Sequence, residues 1–524
     1  MATPHEKLAQ SLKALQDLQK RGFQVYKTNE FTRTDRERLT EAKFLQPIIK
    51  GWCMASDPSV RAGDTTPWFS ALWEFVIRYA TDRFQEKWCL NPEQSLLIHI
   101  EDTTIQNNII ISSPAGSNNV LNLPFNTTLS ELKGTLLPPS DVETKNGIRV
   151  IKLPVCLCKI ASDFFSRNPV AASVALQGIQ DASEILVPLL SGGHSVVAGR
   201  LAGAFKAIGK PEIANEICST MKSAGFEVRE NNPFTREVAI QNDTSGSSPF
   251  SQRLEFLWNE FRVVIAEQFP VPAPSNKKIE EILTDIDEVY TTDAYHSLSI
   301  EGYIVTTDLI ERVKSGNWNP EENEQDKNDK NALAAAGYWQ CFQKVQDTIR
   351  SILTGTQAGA AVKNTHRDWY RALFQPAVTA GLCDATTLAG YRNGRVMIRG
   401  SRHTPPRSDL VVGAMGTLFT LLEKEEHPAV RAVLGHWMLG YIHPYSDGNG
   451  RMARFLMNTM LVTGGYHWTV VNMTDRDSYM AGLEKASVDG NIVPFTEFLA
   501  KRVLGDGPDN PTPTLPSSSS LLPS

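Results

Sequence analysis

The sequence lacks any apolar run long enough to cross a membrane, and its cysteines follow no recognised pattern. A membrane-spanning helix needs about 20 predominantly apolar residues, and no stretch of the 524 residues approaches that length. The seven cysteines are scattered and include no CxxC pair, which argues against a disulfide framework and a zinc finger. The N-terminus has neither the apolar core nor the cleavage site of a signal peptide. We therefore expect a cytoplasmic protein with no membrane partner.

An excess of positive charge is also missing from the chain as a whole. The formal net charge is −6, so no global basic field attracts nucleic acid. The first fifty residues are an exception, because Lys and Arg outnumber Asp and Glu there. A role in nucleic-acid binding is therefore disfavoured for the whole chain and left open for its N-terminus.

Residues 1–58 carry a pattern typical of a winged helix-turn-helix. Leucines recur at helical spacing from Leu8 to Leu18, a second helical run follows around 36–44, and 48–54 is strand-like. The second helix of such a domain can enter the major groove of DNA. Residues 1–58 are thus interpreted either as a DNA-binding domain or as a small packing module with solvated basic residues.

The length of the chain suggests about three domains. We place an α/β module at 59–240, a helical domain at 241–505 and a disordered tail at 506–524. A segment rich in Asn, Ser, Pro and Gly at 230–252 is the predicted linker. Within the α/β module we predict strands at 96–100, 109–111 and 149–153 and helices at 171–177 and 194–208. The hydrophilic segment 320–330 is predicted to be a turn between helices.

The stretch HPYSDGNGRMAR, residues 443–454, lies between two predicted helices and concentrates the groups needed for phosphate chemistry. Gly448 and Gly450 permit positive φ and close backbone approach, and the N-terminus of the following helix attracts anions. Arg451 and Arg454 lie three residues apart on that helix and can bind phosphate oxygens.

Two further side chains complete this predicted site. Asp447 offers a hard oxygen ligand for Mg²⁺. His443 can take a proton from a hydroxyl near neutral pH. A polar turn without chemistry is the simpler interpretation of each residue alone, but their combination within one short loop favours phosphate-centred group transfer.

The same stretch resembles the signature of Fic domains, HPFx[D/E]GN[G/K]RxxR, with Tyr445 in place of the usual Phe. The resemblance covers about 250–505 and implies a mainly helical core with a β-hairpin flap that aligns a target segment by strand addition. The predicted flap comprises Val396, Met397, Ile398, Arg399, Gly400 and Ser401. Together with the N-terminal pattern, we therefore expect a mainly α fold in which the Fic core follows a winged helix and an α/β module.

The resemblance implies transfer of AMP from ATP to a Ser, Thr or Tyr hydroxyl of a target protein, with Mg²⁺ bound by Asp447. His443 would act as general base and Arg454 would hold the γ-phosphate. The residues implied in nucleotide binding are Gly448, Asn449, Gly450, Arg451, Arg454, Tyr479 and Ser487. Ser487 stands where some relatives have an adenine-contacting Asn, so transfer of another nucleotide is an alternative.

A second string, SLSIEG at 297–302, resembles the inhibitory [S/T]xxxE[G/N] motif of Fic proteins, placed N-terminal to the core. Ser297 and Glu301 are four residues apart and therefore face the same side of a helix, and Gly302 is a natural helix terminator. The resemblance implies that Glu301 pairs with Arg454 and denies it to the γ-phosphate. Some relatives also use this Glu in removing AMP.

The N-terminal region, about 1–230, resembles AbiEi-like antitoxins, chiefly through LLSGGHSVVAGRLAGAFKAIGKPEIANEI. This resemblance implies a second possible function, that of a DNA-binding, antitoxin-like transcriptional regulator acting through residues 1–58. A homodimer is a further possibility, because Fic proteins often dimerise.

Overall fold

The structure is a computed structural model, which describes residues 3–60, 63–235, 247–269, 272, 277–318 and 329–505. The predicted tail at 506–524, most of the predicted 320–330 turn and the centre of the predicted linker lie outside these residues. The fold is mainly helical, as predicted. The chain divides into two compact units, one made of 1–245 with 397–404 and the other of 246–396 with 405–524.

The first unit begins with two helices and a small sheet. Helix α1 (Pro4–Gln19) starts at a capping box formed by Thr3 and Glu6, and α2 (Arg33–Glu41) is capped by Thr32. Strands β1 (Val25–Lys27), β2 (Leu45–Ile49) and β3 (Trp52–Ala55) pair antiparallel in the order β1-β3-β2. This succession of elements favours the predicted winged helix, whose assignment stays a prediction.

The remainder of the first unit combines short strands with helices. The elements are α3 (Thr66–Phe84), β4 (Cys89–Leu90), α4 (Pro92–His99), β5 (Asn108–Ser113), β6 (Val120–Asn122), β7 (Thr128–Lys133), β8 (Val142–Lys145), β9 (Ile148–Ile151), α5 (Leu153–Lys159), α6 (Phe164–Arg167), α7 (Pro169–Gln177), α8 (Ala182–Gly192), α9 (Ser195–Ala207) and α10 (Pro211–Ser223). A four-stranded sheet has the order β4-β5-β7-β6, with β5 and β7 parallel, and β8 and β9 form a hairpin.

Most predicted elements of this region are confirmed, with one exception. The strand at 109–111 lies in β5, the strand at 149–153 overlaps β9, and the helices at 171–177 and 194–208 correspond to α7 and α9. The strand predicted at 96–100 is wrong, because these residues lie mainly in helix α4. Asn91 accepts a hydrogen bond from the backbone N–H of Gln94, and Pro92 opens the helix, so strong local start signals outweigh the β-branched run.

One apolar core extends across the predicted boundary at residue 58. Buried side chains from β1 to β3 pack with buried side chains of α3 and of the four-stranded sheet. Members of this core include Val25, Ile48, Trp52, Met54, Trp68, Phe75, Ile109 and Leu129. The predicted winged helix and α/β module therefore share buried surface, and their division into separate domains stays a prediction.

The second unit consists of ten described helices. They are α11 (Pro249–Gln268), α12 (Ile279–Ile300), α13 (Thr307–Lys314), α14 (Lys330–Leu353), α15 (Ala358–Thr379), α16 (Ser408–Lys424), α17 (Pro428–Ile442), α18 (Asn449–Thr463), α19 (Arg476–Val488) and α20 (Val493–Leu504). Helices α14 and α15 pack side by side, as do α17 and α18. Among the described helices, none is long and apolar enough to cross a membrane.

The predicted flap is a turn, and the β-hairpin expected at 396–401 is absent from the described residues. The Ser401 N–H donates to the carbonyl of Ile398, and Gly400 has a φ of 76°, which favours glycine. The flanking backbone has other partners, since the N–H of Ile105 donates to the carbonyl of Arg402 at 2.8 Å. Arg399 also pairs with Asp64 at 3.2 Å. These contacts use backbone and side-chain groups that flank the predicted flap. Pro405 and Pro406 have no N–H to donate, so the hydrogen bonds of a β-hairpin do not form here.

Candidate active site

His443 ends helix α17 in a left-handed conformation, with φ of 50° and ψ of 59°. Its Nδ1 lies 3.3 Å from the carbonyl oxygen of Gly440. A carbonyl only accepts, so Nδ1 carries the proton and Nε2 keeps its lone pair. Burial lowers the pKa of His443 to about 4. The imidazole is therefore neutral at physiological pH and has a free acceptor nitrogen, as a general base requires.

The loop that follows His443 is held by hydrogen bonds from Arg392. Its guanidinium donates to the carbonyls of His443 (2.8 Å), Gly394 (2.9 Å) and Pro406 (2.5 Å). Its backbone N–H donates to the carbonyl of Pro444. Arg392 therefore holds the backbone that presents the imidazole. No local pattern identifies this role, because the His443 carbonyl lies 51 residues further along the chain.

Gly448 and Asn449 shape the turn into helix α18. Gly448 has a φ of 82°, and a Cβ there would lie 2.8 Å from the ring of Phe374. The side chain of Asn449 donates to the carbonyl of Tyr445 and accepts from its N–H, at 2.9 and 3.0 Å. The side-chain amide of Asn449, which was predicted to bind nucleotide, therefore closes the loop through its hydrogen bonds to the Tyr445 backbone. The Asp447 carboxylate accepts from the Gly448 N–H at 2.6 Å.

Tyr445, which replaces the phenylalanine of the Fic signature, is fully buried. Its ring stacks on Tyr370 with the centroids 3.9 Å apart, so the aromatic packing expected from sequence is present. Its hydroxyl has no hydrogen-bond partner among the described residues. The substitution therefore keeps the ring contact and adds a buried hydroxyl that no described residue satisfies.

The structure brings the predicted inhibitory residues onto the second arginine of the loop motif. Arg454 is 3% exposed. Its Nε donates to Ser297 Oγ at 2.8 Å, and its Nη2 donates to the Ser297 carbonyl at 3.1 Å and to Glu301 Oε1 at 2.7 Å. Ser297 and Glu301 lie four residues apart on one face of α12, as the spacing predicts. The predicted pairing of Glu301 with Arg454 is thus present in the geometry.

The carboxylate of Glu301 also covers the first turn of helix α18. A Cβ placed on Gly450 would lie 2.2 Å from Glu301 Oε1, so only glycine allows this approach. Gly450 is needed for this close contact and not for positive φ, which only Gly448 of the two glycines adopts. The N-terminus of a helix is a natural anion site, and Glu301 occupies it.

The electrostatics of this ion pair favour two charged groups despite burial. Burial is the largest single influence on Glu301 and opposes its ionisation, but the charges of Arg454 and Arg451 and the hydrogen bond from Arg454 together outweigh it, so the pKa of the carboxyl is lowered. Burial likewise opposes the charge of Arg454, while Glu301 raises its pKa. The Glu301 side chain is 28% exposed, so the pair is open to replacement by an anionic ligand.

Arg451, the first arginine of the motif, lies between two aromatic rings. Its guanidinium carbon is 5.2 Å from the ring centroids of both Tyr303 and Phe374. Its Nη2 lies 3.4 Å from Asp447 Oδ2. Sequence analysis missed Tyr303, although the residue directly follows Gly302 at the end of the recognised inhibitory string.

The remaining predicted residues divide between the two units. The Tyr479 hydroxyl lies 2.7 Å from Nε2 of buried His436. Ser487 Oγ accepts from Trp437 Nε1 at 3.1 Å. Of the predicted flap, Val396 belongs to the second unit and 397–401 to the first.

The oxygen ligands beside the loop suit a cation that takes most of its ligands from a bound nucleotide. No cluster of three or more His, Cys, Asp or Glu residues suited to a metal occurs among the described residues. Mg²⁺ commonly uses one or two carboxylates together with phosphate oxygens. The side chain of Asp447 is 64% exposed beside the loop and could supply such a ligand.

The loop and the start of α18 thus bring together a left-handed histidine, a glycine turn and a helix N-terminus with two arginines. Residues 360–461 match the Fic/DOC family, a range that includes all of 443–454. The chain therefore contains a Fic/DOC domain at these positions, as the resemblance predicted. The inhibitory string at 297–302 lies outside the matched range.

Curated relatives match this part of the chain. Protein adenylyltransferase Fic of Nematostella vectensis is 38% identical over 115 residues, covering 21% of this chain and 26% of that protein. The protein of the same name from Drosophila yakuba is 29% identical over 221 residues, or 41% of this chain and 40% of that protein. The chain thus spans well under half the length of either relative.

Solved Fic proteins are also among the matches. A Fic-domain signalling protein of Bacteroides thetaiotaomicron is 18% identical with a TM-score of 0.33, covering 47% of this chain and 92% of that one. Fic-1 (residues 134–508) of C. elegans is 16% identical with a TM-score of 0.35, covering 64% of this chain and 89% of that one.

The unpaired hydroxyl of Tyr445 yields a stability prediction. An unsatisfied buried hydroxyl costs about 1–3 kcal/mol, so we expect Tyr445→Phe to raise the thermal unfolding midpoint of the full chain by roughly 2–4 °C. Differential scanning calorimetry measures the shift. The matched control is Tyr479→Phe, which removes a hydroxyl bonded to His436 and should lower the midpoint. A lower midpoint for Tyr445→Phe would contradict the assignment.

Proposed function

We propose that this protein is a protein adenylyltransferase that transfers AMP from ATP to a hydroxyl side chain of a target protein and is restrained by Glu301. One observation carries the proposal: a buried neutral histidine adjoins a helix N-terminus and two arginines within residues that match the Fic/DOC family. The names of the curated relatives support the choice of AMP.

The proposed chemistry follows from the positions of the side chains. His443 Nε2 accepts the proton of the target hydroxyl, whose oxygen attacks the α-phosphorus in line. The bond from the α-phosphorus to the bridging oxygen breaks, so AMP remains on the target and pyrophosphate leaves. The backbone N–H groups at the start of α18 and the side chains of Arg451 and Arg454 stabilise the phosphate charge.

ATP and Mg²⁺ are the proposed substrate and cofactor. When bound, Mg²⁺ neutralises charge on the phosphates, and Asp447 would be its protein ligand. In the structure Asp447 is engaged by the Gly448 N–H and Arg451. Nucleotide binding therefore has to redistribute the contacts of this carboxylate.

Glu301 is proposed to prevent productive binding because it uses the atoms that the γ-phosphate needs. Its carboxylate bonds Arg454 and covers Gly450. A triphosphate can occupy the same place only when the carboxylate moves. Involvement of Glu301 in the removal of AMP is a further property proposed from the resemblance.

The first test of this function compares two substitutions. We expect Glu301→Gly to raise AMP transfer, including self-modification, by roughly tenfold or more, since release of a 1.4 kcal/mol restraint is already tenfold. His443→Ala should lose about 10²–10⁴-fold, as expected for a general base. The measurement is incorporation from α-labelled ATP with Mg²⁺ into the full chain, followed by mass spectrometry of modified peptides.

Glu301→Gln is the matched control, because it keeps the length of the side chain and removes its charge. Its AMP transfer should lie between that of the parent protein and that of Glu301→Gly. Equal labelling of the parent protein, Glu301→Gly and His443→Ala would refute the mechanism. Competition by unlabelled UTP or GTP decides whether another nucleotide is preferred to ATP.

The pH dependence of transfer follows from the state of His443. Its pKa is lowered by burial to about 4, and Glu301 is one of the groups that raise it. Removal of Glu301 therefore keeps the pKa low, and the base stays deprotonated as the pH falls. We expect transfer by Glu301→Gly to change less than twofold between pH 8 and pH 6, with circular dichroism as a control for folding. Loss of half of the transfer activity near pH 6.5 would indicate a histidine with an ordinary pKa. It would contradict the lowered pKa of His443.

DNA binding through residues 1–58 is the second proposed function. It is supported by the order of α1, α2 and the β2–β3 hairpin. The charge of α2 gives it little support, because its arginines are matched in number by acidic residues and Arg33 pairs with Glu37 at 2.8 Å. Specific binding would make the chain an antitoxin-like regulator as well as an enzyme.

A mobility-shift assay tests the second function. If residues 1–58 bind DNA, the full chain should shift the duplex upstream of its own coding sequence, and added salt should weaken the complex steeply. Arg36→Ala should weaken the shift relative to Lys133→Ala, which lies outside these residues. A missing or nonspecific shift removes the DNA proposal and leaves the enzyme proposal intact. A cytoplasmic location and a homodimer stay predictions.

A further inference from the structure

We propose that Tyr303 is a second restraining residue, which holds Arg451 while Glu301 holds Arg454. One helix end would then restrain both arginines of the loop motif. The inference rests on the proposed function, because it takes both arginines as phosphate-binding groups. It extends the inhibitory element beyond SLSIEG to a residue that the sequence analysis did not select.

The position of Tyr303 is set by the way α12 ends. Gly302 adopts a φ of 87°, its N–H donates to the Ser299 carbonyl at 3.0 Å, and the Tyr303 N–H donates to the Leu298 carbonyl at 3.1 Å. This pair of bonds is a Schellman motif, which satisfies the last carbonyls of a helix. It fixes Glu301 before the turn and Tyr303 after it, so the two side chains are geometrically linked.

The contacts of Tyr303 are with Arg451. The guanidinium of Arg451 lies over the Tyr303 ring, with its carbon 5.2 Å from the ring centroid. Phe374 of α15 covers the guanidinium at the same distance. Arg451 is only 1% exposed, and its Nε has no partner among the described residues. The aromatic faces therefore hold a buried cation whose hydrogen bonding is incomplete.

This arrangement competes with nucleotide binding. The Nη2 of Arg451 points to Asp447, the proposed Mg²⁺ ligand. Phosphate oxygens would complete the hydrogen bonding of the Arg451 guanidinium, which a ring face cannot do. They can reach the guanidinium only when the Tyr303 side chain moves away. Because Phe374 lies on another helix, it keeps its contact when the end of α12 moves. Tyr303 is thus the ring whose contact depends on the inhibitory state.

The test measures ATP affinity in the Glu301→Gly background, where Arg454 is already released. Tyr303→Leu removes the aromatic face and the hydroxyl but keeps an apolar side chain of moderate size. We expect it to tighten ATP binding by roughly fivefold, the equivalent of one cation–π contact. Isothermal titration calorimetry of the full chain with ATP and Mg²⁺ gives the Kd, and self-labelling gives kcat and KM. The KM should fall with the Kd, while kcat stays within twofold.

Tyr303→Phe is the matched variant, because it keeps the ring and removes only the hydroxyl. It should bind ATP within about twofold of its parent. A Kd for Tyr303→Leu that is unchanged or weaker, with the unfolding midpoint retained, would overturn the proposal. A lower midpoint accompanied by weaker binding would show a merely structural role and overturn it equally.

The two proposals can fail separately. If Glu301→Gly transfers no AMP, the proposed function fails whatever Tyr303 does. If Glu301→Gly is active and Tyr303→Leu leaves its ATP affinity unchanged, only the role of Tyr303 is refuted.

Discussion

The buried guanidinium of Arg454 is the constraint on which the site depends. A charge that is 3% exposed is stable only when partners replace its water. The protein supplies Ser297 and Glu301, both from α12. The hydrogen bonds of the single side chain Arg454 therefore fix the position of α12 against α18. Removing one partner leaves an uncompensated charge, whereas a phosphate can take over the role of the carboxylate, which makes the pair replaceable by the proposed ligand.

A second constraint is the tight loop between α17 and α18. His443 and Gly448 are both left-handed, and such backbone costs energy for histidine. Arg392 and Asn449 offset this cost by bonding the carbonyls and N–H groups of the loop. Loop stability and catalytic geometry thus depend on the same hydrogen bonds. The pKa of His443, lowered by burial, results from this close packing.

The sequence predicted those parts of the site that are contiguous. The loop 443–454 carries its own turn and helix signals, and Ser297 and Glu301 follow from helical spacing. Residues that act through distant partners escaped prediction: Arg392, Tyr303 and Phe374 have no local pattern that reveals their contacts. The strand predicted at 96–100 failed because Asn91 and Pro92 start a helix. The predicted flap hairpin failed because backbone around residue 105 bonds the flanking carbonyl at 402.

Residues 397–404 belong to the first unit although they are flanked on both sides by segments of the second. The polypeptide passes from one unit to the other three times, after residues 245, 396 and 404. A single cut in the linker therefore cannot yield two intact folding units. A shortened chain starting at 246 would expose Met397, which packs on the first unit's core, and would leave Arg399 without Asp64. The two units therefore do not correspond to two continuous halves of the sequence.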